Sequence, residues 1–405
     1  MKADIPAVTE RGESIALMEP MRLAGASPHR AELTELAVEL TAQSAGFRRS
    51  LPEGVVAALA DLVRAMNCYY SNLIEGHNTH PIDIERAMRN DYSKEPHKRN
   101  LQLEARAHVT VQQWIDAGGL KGKTASRESV CEIHRRFGEL LPDELLWVED
   151  PNSNDRVRVE PGVLRARDVR VGDHVPVSPG AVLRFLARFE EVYGRLGRAE
   201  IIVSAAAAHH RLLWIHPFLD GNGRMARLMS HAMLLEALES GGIWSIARGL
   251  ARQERAYKDY LAACDQPRQG ELDGRGNLSE KALVDFTRFF LATCIDQVRF
   301  MEGLVQPNRL RERILIWAEE EMRSGQLPAK AGFVLEGVLF RGELPRGDVA
   351  ALVSTGERQA RRVVSALLEA GVISSEHTRA PLRIAFPAAL AGRWLPGLFP
   401  DVAGS

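Results

Sequence analysis

His216, Asp220, Arg224 and Arg227 fall within twelve residues of one another, around a Gly221-Asn222-Gly223 turn. Each of these residue types has a distinct chemical use. Imidazole is the side chain whose ordinary pKa lets it accept a proton near neutrality. A guanidinium fork matches two phosphate oxygens at once. A carboxylate beside a phosphate suits Mg²⁺, which takes one or two carboxylates and fills its other positions with phosphate oxygens and water. A Gly-Asn-Gly loop entering a helix gathers unpaired backbone N–H groups and the positive helix end at one point, which makes an anion site. Arg224 and Arg227, three residues apart on the first turn, can both face that point. The inventory is that of phosphoryl-type transfer: a clamp on a polyphosphate plus a base, His216, for an attacking hydroxyl. Taken singly, each residue is an ordinary helix-end or turn residue, and Phe218 only pins the loop into the core. Their convergence at this spacing argues for a site.

Helices must position that loop. Apolar residues recur at helical spacing over 31–48 and 53–75, and the second of these ends at Gly76, a C-cap residue. Further helices are expected at 81–88, 100–117 and 127–141, the last with Ser126 as N-cap. The 117–124 stretch, AGGLKGKT, nearly fits a phosphate-binding P-loop, but its first glycine is out of register and a helix precedes it, so it reads as a turn. Valines alternating with polar residues over 157–177, with a turn at Gly172-Asp173, predict a short β-hairpin. Helices follow at 180–196 and 198–215, the latter ending before His216 because Pro217 disfavours helix there. Others are expected at 223–239, closed by Gly241-Gly242, and at 248–262 and 279–304. After a linker at 306–308 come a helix over 310–323, then helix-turn-helix over 346–353 and 357–370, and a two-stranded wing over 372–386. Residues 1–30 read as an extended or loosely docked arm.

The fold class is therefore mainly α, a helical bundle with a short β-hairpin, followed by a C-terminal winged helix-turn-helix. The 405 residues carry a formal net charge of −1, so any nucleic-acid contact must be a local patch and not a whole-chain effect. Cys68, Cys131, Cys264 and Cys294 are widely spaced and fit small core residues in a reducing compartment, not a disulfide framework or a zinc site. No stretch is apolar enough to span a membrane, and no secretory leader is evident, so the expected location is the cytoplasm. His209-His210 lack the companions of a metal motif and read as core.

The run from His216 to Arg227 matches the Fic (filamentation induced by cAMP) signature HxFx(D/E)GNGRxxR at every fixed position, and the chain resembles that family over 128–305. The Gly162-Val-Leu-Arg165 and Val169-to-Gly172 stretches resemble its flap. The resemblance implies a protein adenylyltransferase (AMPylator). His216 would deprotonate a Ser, Thr or Tyr hydroxyl of a target protein, which attacks the α-phosphate of ATP. Asp220 would bind Mg²⁺, Asn222 with Gly221 and Gly223 would hold the α- and β-phosphates, and Arg224 and Arg227 the β- and γ-phosphates. The hairpin would align the target segment by strand pairing. Upstream, Ser71-Asn-Leu-Ile-Glu75-Gly76 resembles the family's inhibitory pattern (S/T)xxxE(G/N), on a helix of about 53–76 within an N-terminal region 1–127. Glu75 would pair with Arg227 and deny it to the γ-phosphate. Tyr257 and Tyr260 resemble tyrosines that some members place near the nucleotide, with core packing the competing reading. In the 309–395 module, Arg358, Arg361 and Arg362 lie on the expected recognition helix, where DNA binding competes with protein binding. Self-AMPylation, homodimerisation and no membrane partner complete the expectations. The alternatives are a winged-helix DNA-binding regulator with a nucleotide-sensing body, and an enzyme acting mainly in de-AMPylation.

Overall fold

The computed structural model describes residues 8–149 and 156–400. Its helices are α1 Arg30–Arg49, α2 Glu53–Ile74, α3 Pro81–Met88, α4 Pro96–Asp116, α5 Arg127–Glu139, α6 Val182–Tyr193, α7 Arg198–Ile215 and α8 Asn222–Leu238. There follow α9 Ala247–Arg252, α10 Glu254–Cys264, α11 Glu280–Leu304, α12 Pro307–Arg323, α13 Ala331–Arg341, α14 Val349–Leu352, α15 Glu357–Glu369 and α16 Ala391–Trp394. Strands β1 Trp147–Glu149 and β2 Arg156–Arg158 pair antiparallel, as do β3 Ile373–Ser374 and β4 Arg383–Ile384. The fold is mainly helical.

The centre is the α7–α8 pair. Ala205, Ala206, Ala207 and Ala208 are all fully buried, so α7 has almost no side-chain bulk where its neighbours approach it. A helix that is apolar all round belongs inside a bundle, and α7 is flanked by α1, α6, α8 and α11. Its connection to α8 is the His216–Gly221 loop, so the most heavily packed helix pair in the molecule presents the motif. On α2, Val56, Leu59, Leu62, Val63 and Met66 form the expected buried stripe. Gly76 stands just past the helix at φ +84°, in the left-handed region that suits glycine.

Three expectations, for the hairpin, one helix and the N-terminal arm, need correction, and one helix was not expected. The 157–177 hairpin is not continuous: Gly172-Asp173 does form a turn closed by a Val171–His174 bridge, but the paired strands are β1 and β2. Pro161 and Pro176 have no N–H to donate to a ladder. The Arg165 guanidinium also takes the carbonyls of Arg167 and Val177, which a ladder would need. The expected helix at 248–262 is broken at Gln253 into α9 and α10. Helix α13 has no counterpart in the sequence reading, because its residues are apolar on several sides and carry little amphipathic contrast.

The arm is docked, not loose. Arg11 donates its backbone N–H to Ser178 Oγ at 3.1 Å, and Ser178 N–H and Oγ–H both donate to Glu13 at 2.6 Å. Residues 1–7 lie outside the described residues.

At the C-terminus, α13, a bridge from Leu344 to Leu382, α14, α15 and the β3–β4 pair follow one another. This unit sits against α2. Tyr70 Oη donates to the Leu398 carbonyl at 2.9 Å, and the Tyr69 ring meets Phe399 edge-on at 5.6 Å. At the start of α2, a Cβ on Gly54 would lie 2.0 Å from the Gly342 carbonyl oxygen, a backbone atom that cannot swing aside. Gly54→Ala is therefore expected to lower stability by about 1–3 kcal/mol, outweighing the roughly 0.5–1 kcal/mol that alanine gains in a helix. Calorimetric unfolding of the two proteins checks it.

Candidate active site

His216 caps α7 with φ +49° and ψ +64°, a left-handed conformation that a residue bearing a Cβ adopts only when its surroundings impose it. Two groups impose it here. Pro217 forbids continuation of the helix, and Arg165 Nε donates to the His216 carbonyl at 2.7 Å. Arg165 also donates its backbone N–H to the Pro217 carbonyl at 2.9 Å, so the flap segment and the motif are stitched together. Burial, and then the Arg165 charge, push the His216 imidazole down to about 4. It is neutral at physiological pH and able to take a proton.

His134, on α5, was not singled out by sequence reasoning. Its ring stacks on Phe218 at 3.8 Å, accepts the Gly162 N–H on Nδ1 at 2.8 Å, and faces the Asp220 carbonyl through Nε2 at 3.2 Å. Those contacts hold the loop between His216 and Gly221 to the first turn of the flap. Asn222 is 2 % exposed, and both ends of its amide bind Phe218, accepting its N–H at 3.0 Å and donating to its carbonyl at 2.9 Å. Its side chain braces the loop, leaving the first N–H groups of α8, which have no intrahelical acceptor, as the anion-directed groups.

Arg227 is almost fully buried and engaged through Nε and Nη2. Its Nε donates to Ser71 Oγ at 2.9 Å, and Nη2 donates to the Ser71 carbonyl at 3.1 Å and to Glu75 Oε1 at 2.5 Å. Burial pushes the Glu75 carboxyl up, but the Arg227 charge and hydrogen bond bring it below its ordinary value, so the pair is ionic. A Cβ on Gly223 would meet Glu75 Oε1 at 2.4 Å: the carboxylate lies directly over the glycine that opens α8. A carboxylate thus occupies the helix start where an anion is expected.

Arg224 is held differently. Its Nη1 donates to Glu104 of α4, and Nη2 to Asp220 Oδ2 at 3.0 Å, while its buried Nε has no hydrogen-bond partner among the described residues. Asp220 is half exposed beside it. No group of three or more metal-ligating side chains occurs among the described residues. A single carboxylate still fits a Mg²⁺ carried in on phosphate oxygens.

Tyr257 is buried, with its hydroxyl 2.7 Å from His209 Nε2, and His209 Nδ1 lies 2.9 Å from Ser230 Oγ. That chain belongs to the core beneath Arg227. Tyr260 stacks on Phe289 at 4.7 Å. Arg358, Arg361 and Arg362 are exposed on α15, Arg361 paired with Glu357 at 2.7 Å, far along the chain from the motif.

Sequence reasoning missed a polar stripe on α4. Glu104, His108, Gln112 and Asp116 recur every four residues and share the face toward α8. Glu104 reaches Arg224, and Gln112 and Asp116 reach His231 at 3.4 and 2.7 Å. Four polar residues at that spacing on an expected helix were the available signal.

Residues 124–234 match the model of the Fic/DOC family. Over 127 residues the chain is 32 % identical to the protein adenylyltransferase Fic of Drosophila ananassae and to that of Drosophila virilis, an alignment covering 31 % of this chain. The chain spans less than a quarter of the length of these curated relatives, 22 % and 23 % respectively. Among solved structures, a Fic family protein from Desulfovibrio desulfuricans aligns with 90 % of this chain and 98 % of its own, at 15 % identity and TM-score 0.49. Fic-1 from C. elegans aligns with 67 % of this chain and 72 % of its own, at 18 % identity and TM-score 0.49. The matched segment begins just before α5 and ends within α8, so both Glu75 and Glu104 come from outside it.

Proposed function

We propose that this chain is a protein adenylyltransferase whose resting state is self-inhibited. The observation that carries this reading is the Glu75 carboxylate, which lies over Gly223 and accepts from Arg227, an arginine the reading assigns to the γ-phosphate. His216 takes the proton of a target Ser, Thr or Tyr hydroxyl as its oxygen attacks the α-phosphorus of ATP. The bond to the β-phosphate oxygen breaks, and pyrophosphate leaves. Arg224 and Arg227 hold the β- and γ-phosphates, and the first N–H groups of α8 face the developing charge. Asp220 would hold Mg²⁺, which when bound offsets phosphate charge. While Glu75 occupies Arg227, the γ-phosphate has no partner there and ATP cannot sit in line with the hydroxyl.

The C-terminal elements from α12 to α16 support a winged helix, with the exposed arginines of α15 offering a local basic face for DNA or an acidic protein. Because this unit lies on α2, its partner is a candidate signal. Homodimerisation and self-AMPylation are compatible with the same reading, and a cytoplasmic protein target is the expected substrate.

Purified Glu75→Gly protein supplied separately with α-labelled and γ-labelled ATP tests the reaction class. Retention of the α-label in protein, with release of pyrophosphate, is expected. Retention of the γ-label alone would mean phosphoryl transfer, and AMP release from pre-labelled protein dependent on Glu75 would favour de-AMPylation.

A further inference from the structure

Glu75 and Glu104 each hold one of the two motif arginines, but they stand in different places. Glu75 is at the end of α2, next to a left-handed glycine, and its side chain is 34 % exposed. Glu104 lies in the middle of α4 and is 1 % exposed. A half-exposed carboxylate at a helix end can leave its partner for solvent. One buried mid-helix cannot, and taking it away would strand a buried guanidinium charge.

Resting on the adenylyltransferase reading, we propose that Glu104 is the positioning residue of Arg224, and that His77 couples it to the inhibitory helix. Glu104 divides its oxygens between two partners: Oε1 accepts from Arg224 Nη1, and Oε2 lies 2.7 Å from His77 Nδ1. His77 is two residues beyond Glu75, and its backbone N–H donates to the Asn72 carbonyl at 2.9 Å, closing the end of α2. The Glu104 hydrogen bond raises the His77 imidazole above its ordinary value, which favours the charged, attractive form of the contact. The Arg224 and Glu75 charges also face His77, with opposite effects.

The consequence is a two-sided arrangement. Glu104 neutralises Arg224 through Nη1 and fixes its Nη2 edge beside the half-exposed Asp220, the edge that would meet phosphate. His77 completes the coordination of Glu104 only while the end of α2 is docked. Undocking therefore breaks the Glu75–Arg227 pair and the His77–Glu104 contact together, and leaves Arg224 on Glu104, ready for ATP. Glu104 is part of the binding apparatus, whereas Glu75 and His77 belong to the switch, although both acids bind motif arginines.

The two roles predict effects of opposite sign on ATP affinity. Calorimetric titration of the full-length protein with ATP–Mg²⁺, and separately with adenosine, is the measurement. In the Glu75→Gly protein, Glu104→Gln is expected to weaken ATP at least about tenfold while leaving adenosine within about twofold, since only the phosphate grip is lost. With Glu75 in place, His77→Ala is expected to strengthen ATP several-fold. Should Glu104→Gln fail to fold, Glu104→Asp, which keeps the charge on a shorter arm, is expected to show the same ATP-selective loss. Unchanged or tighter ATP binding by either Glu104 variant overturns the proposal, and so does equal weakening of ATP and adenosine, or weaker ATP binding by His77→Ala. If Glu75→Gly itself binds no ATP, the adenylyltransferase reading has failed; if it does and Glu104 variants bind equally well, only the positioning role has failed.

Discussion

Glu75→Gly is expected to raise transfer of α-label from ATP into protein by about tenfold to a hundredfold over wild type. Ser71 and Glu75 hold Arg227 through Nε and Nη2, and on the proposed reading a γ-phosphate must displace Glu75 to pair with that edge. A charge-assisted contact of this kind contributes about 1.5–3 kcal/mol, and a coupling of about 1–3 kcal/mol corresponds to roughly 5- to 150-fold. Glycine also vacates the space over Gly223, so the substitution removes the competitor and the obstruction in one step. The increase should appear in affinity for ATP as well as in turnover, because the misplaced γ-phosphate costs both binding and alignment. Label incorporation at saturating and at low ATP separates the two contributions.

The second large effect is acid lability. Burial pushes His108 and His209 down to about 3 and His134 and His210 down to about 4, and all four are buried. In the unfolded chain these imidazoles return to their ordinary pKa of about 6.5, so between that value and 4 the unfolded state binds more protons. Stability is therefore full above about pH 6.5 and falls as the pH drops toward the folded pKa values. By pH 5 each of these histidines removes on the order of 2 kcal/mol, and four of them together approach the whole stability of an ordinary domain. His108 has no partner on either ring nitrogen among the described residues, so His108→Leu, similar in volume, is expected to shift the acid unfolding midpoint to lower pH. Circular dichroism followed from pH 7.5 to 4 measures it. A flat profile above pH 4.5 would contradict the assignment of neutral, buried imidazoles.

The motif loop was legible in the sequence because its chemistry is local: His216 through Arg227 form one turn and one helix start, and Pro217 fixes where the preceding helix stops. Helix α2 and its end at Glu75-Gly76 were legible for the same reason, through an apolar stripe and a C-cap glycine. The broken helix at Gln253 was not, since residues 248–262 keep one apolar periodicity across the break. Alternating valines misled at 157–177 because Val163, Val171 and Val175 are exposed and pair with no buried sheet face, with Arg165 and the prolines consuming the ladder positions. Glu104 and His134 stayed hidden for a further reason. Their partners, Arg224 and Phe218, are 120 and 84 residues away in sequence, and only the packing of α4 and α5 against α8 and its loop brings them together.

On the proposed reading, one protein carries both an adenylyl-transferring His216 and its own inhibitor, Glu75. Its most direct test is α-labelled ATP incorporation by wild type, Glu75→Gly, and Glu75→Gly with His216→Ala, measured side by side on protein shown to be folded. The account predicts a weak signal, a strong one, and one reduced by about a hundredfold or more when the base is lost. A Glu75→Gly protein that labels no better than wild type, or a double variant that labels as well as Glu75→Gly, would contradict it.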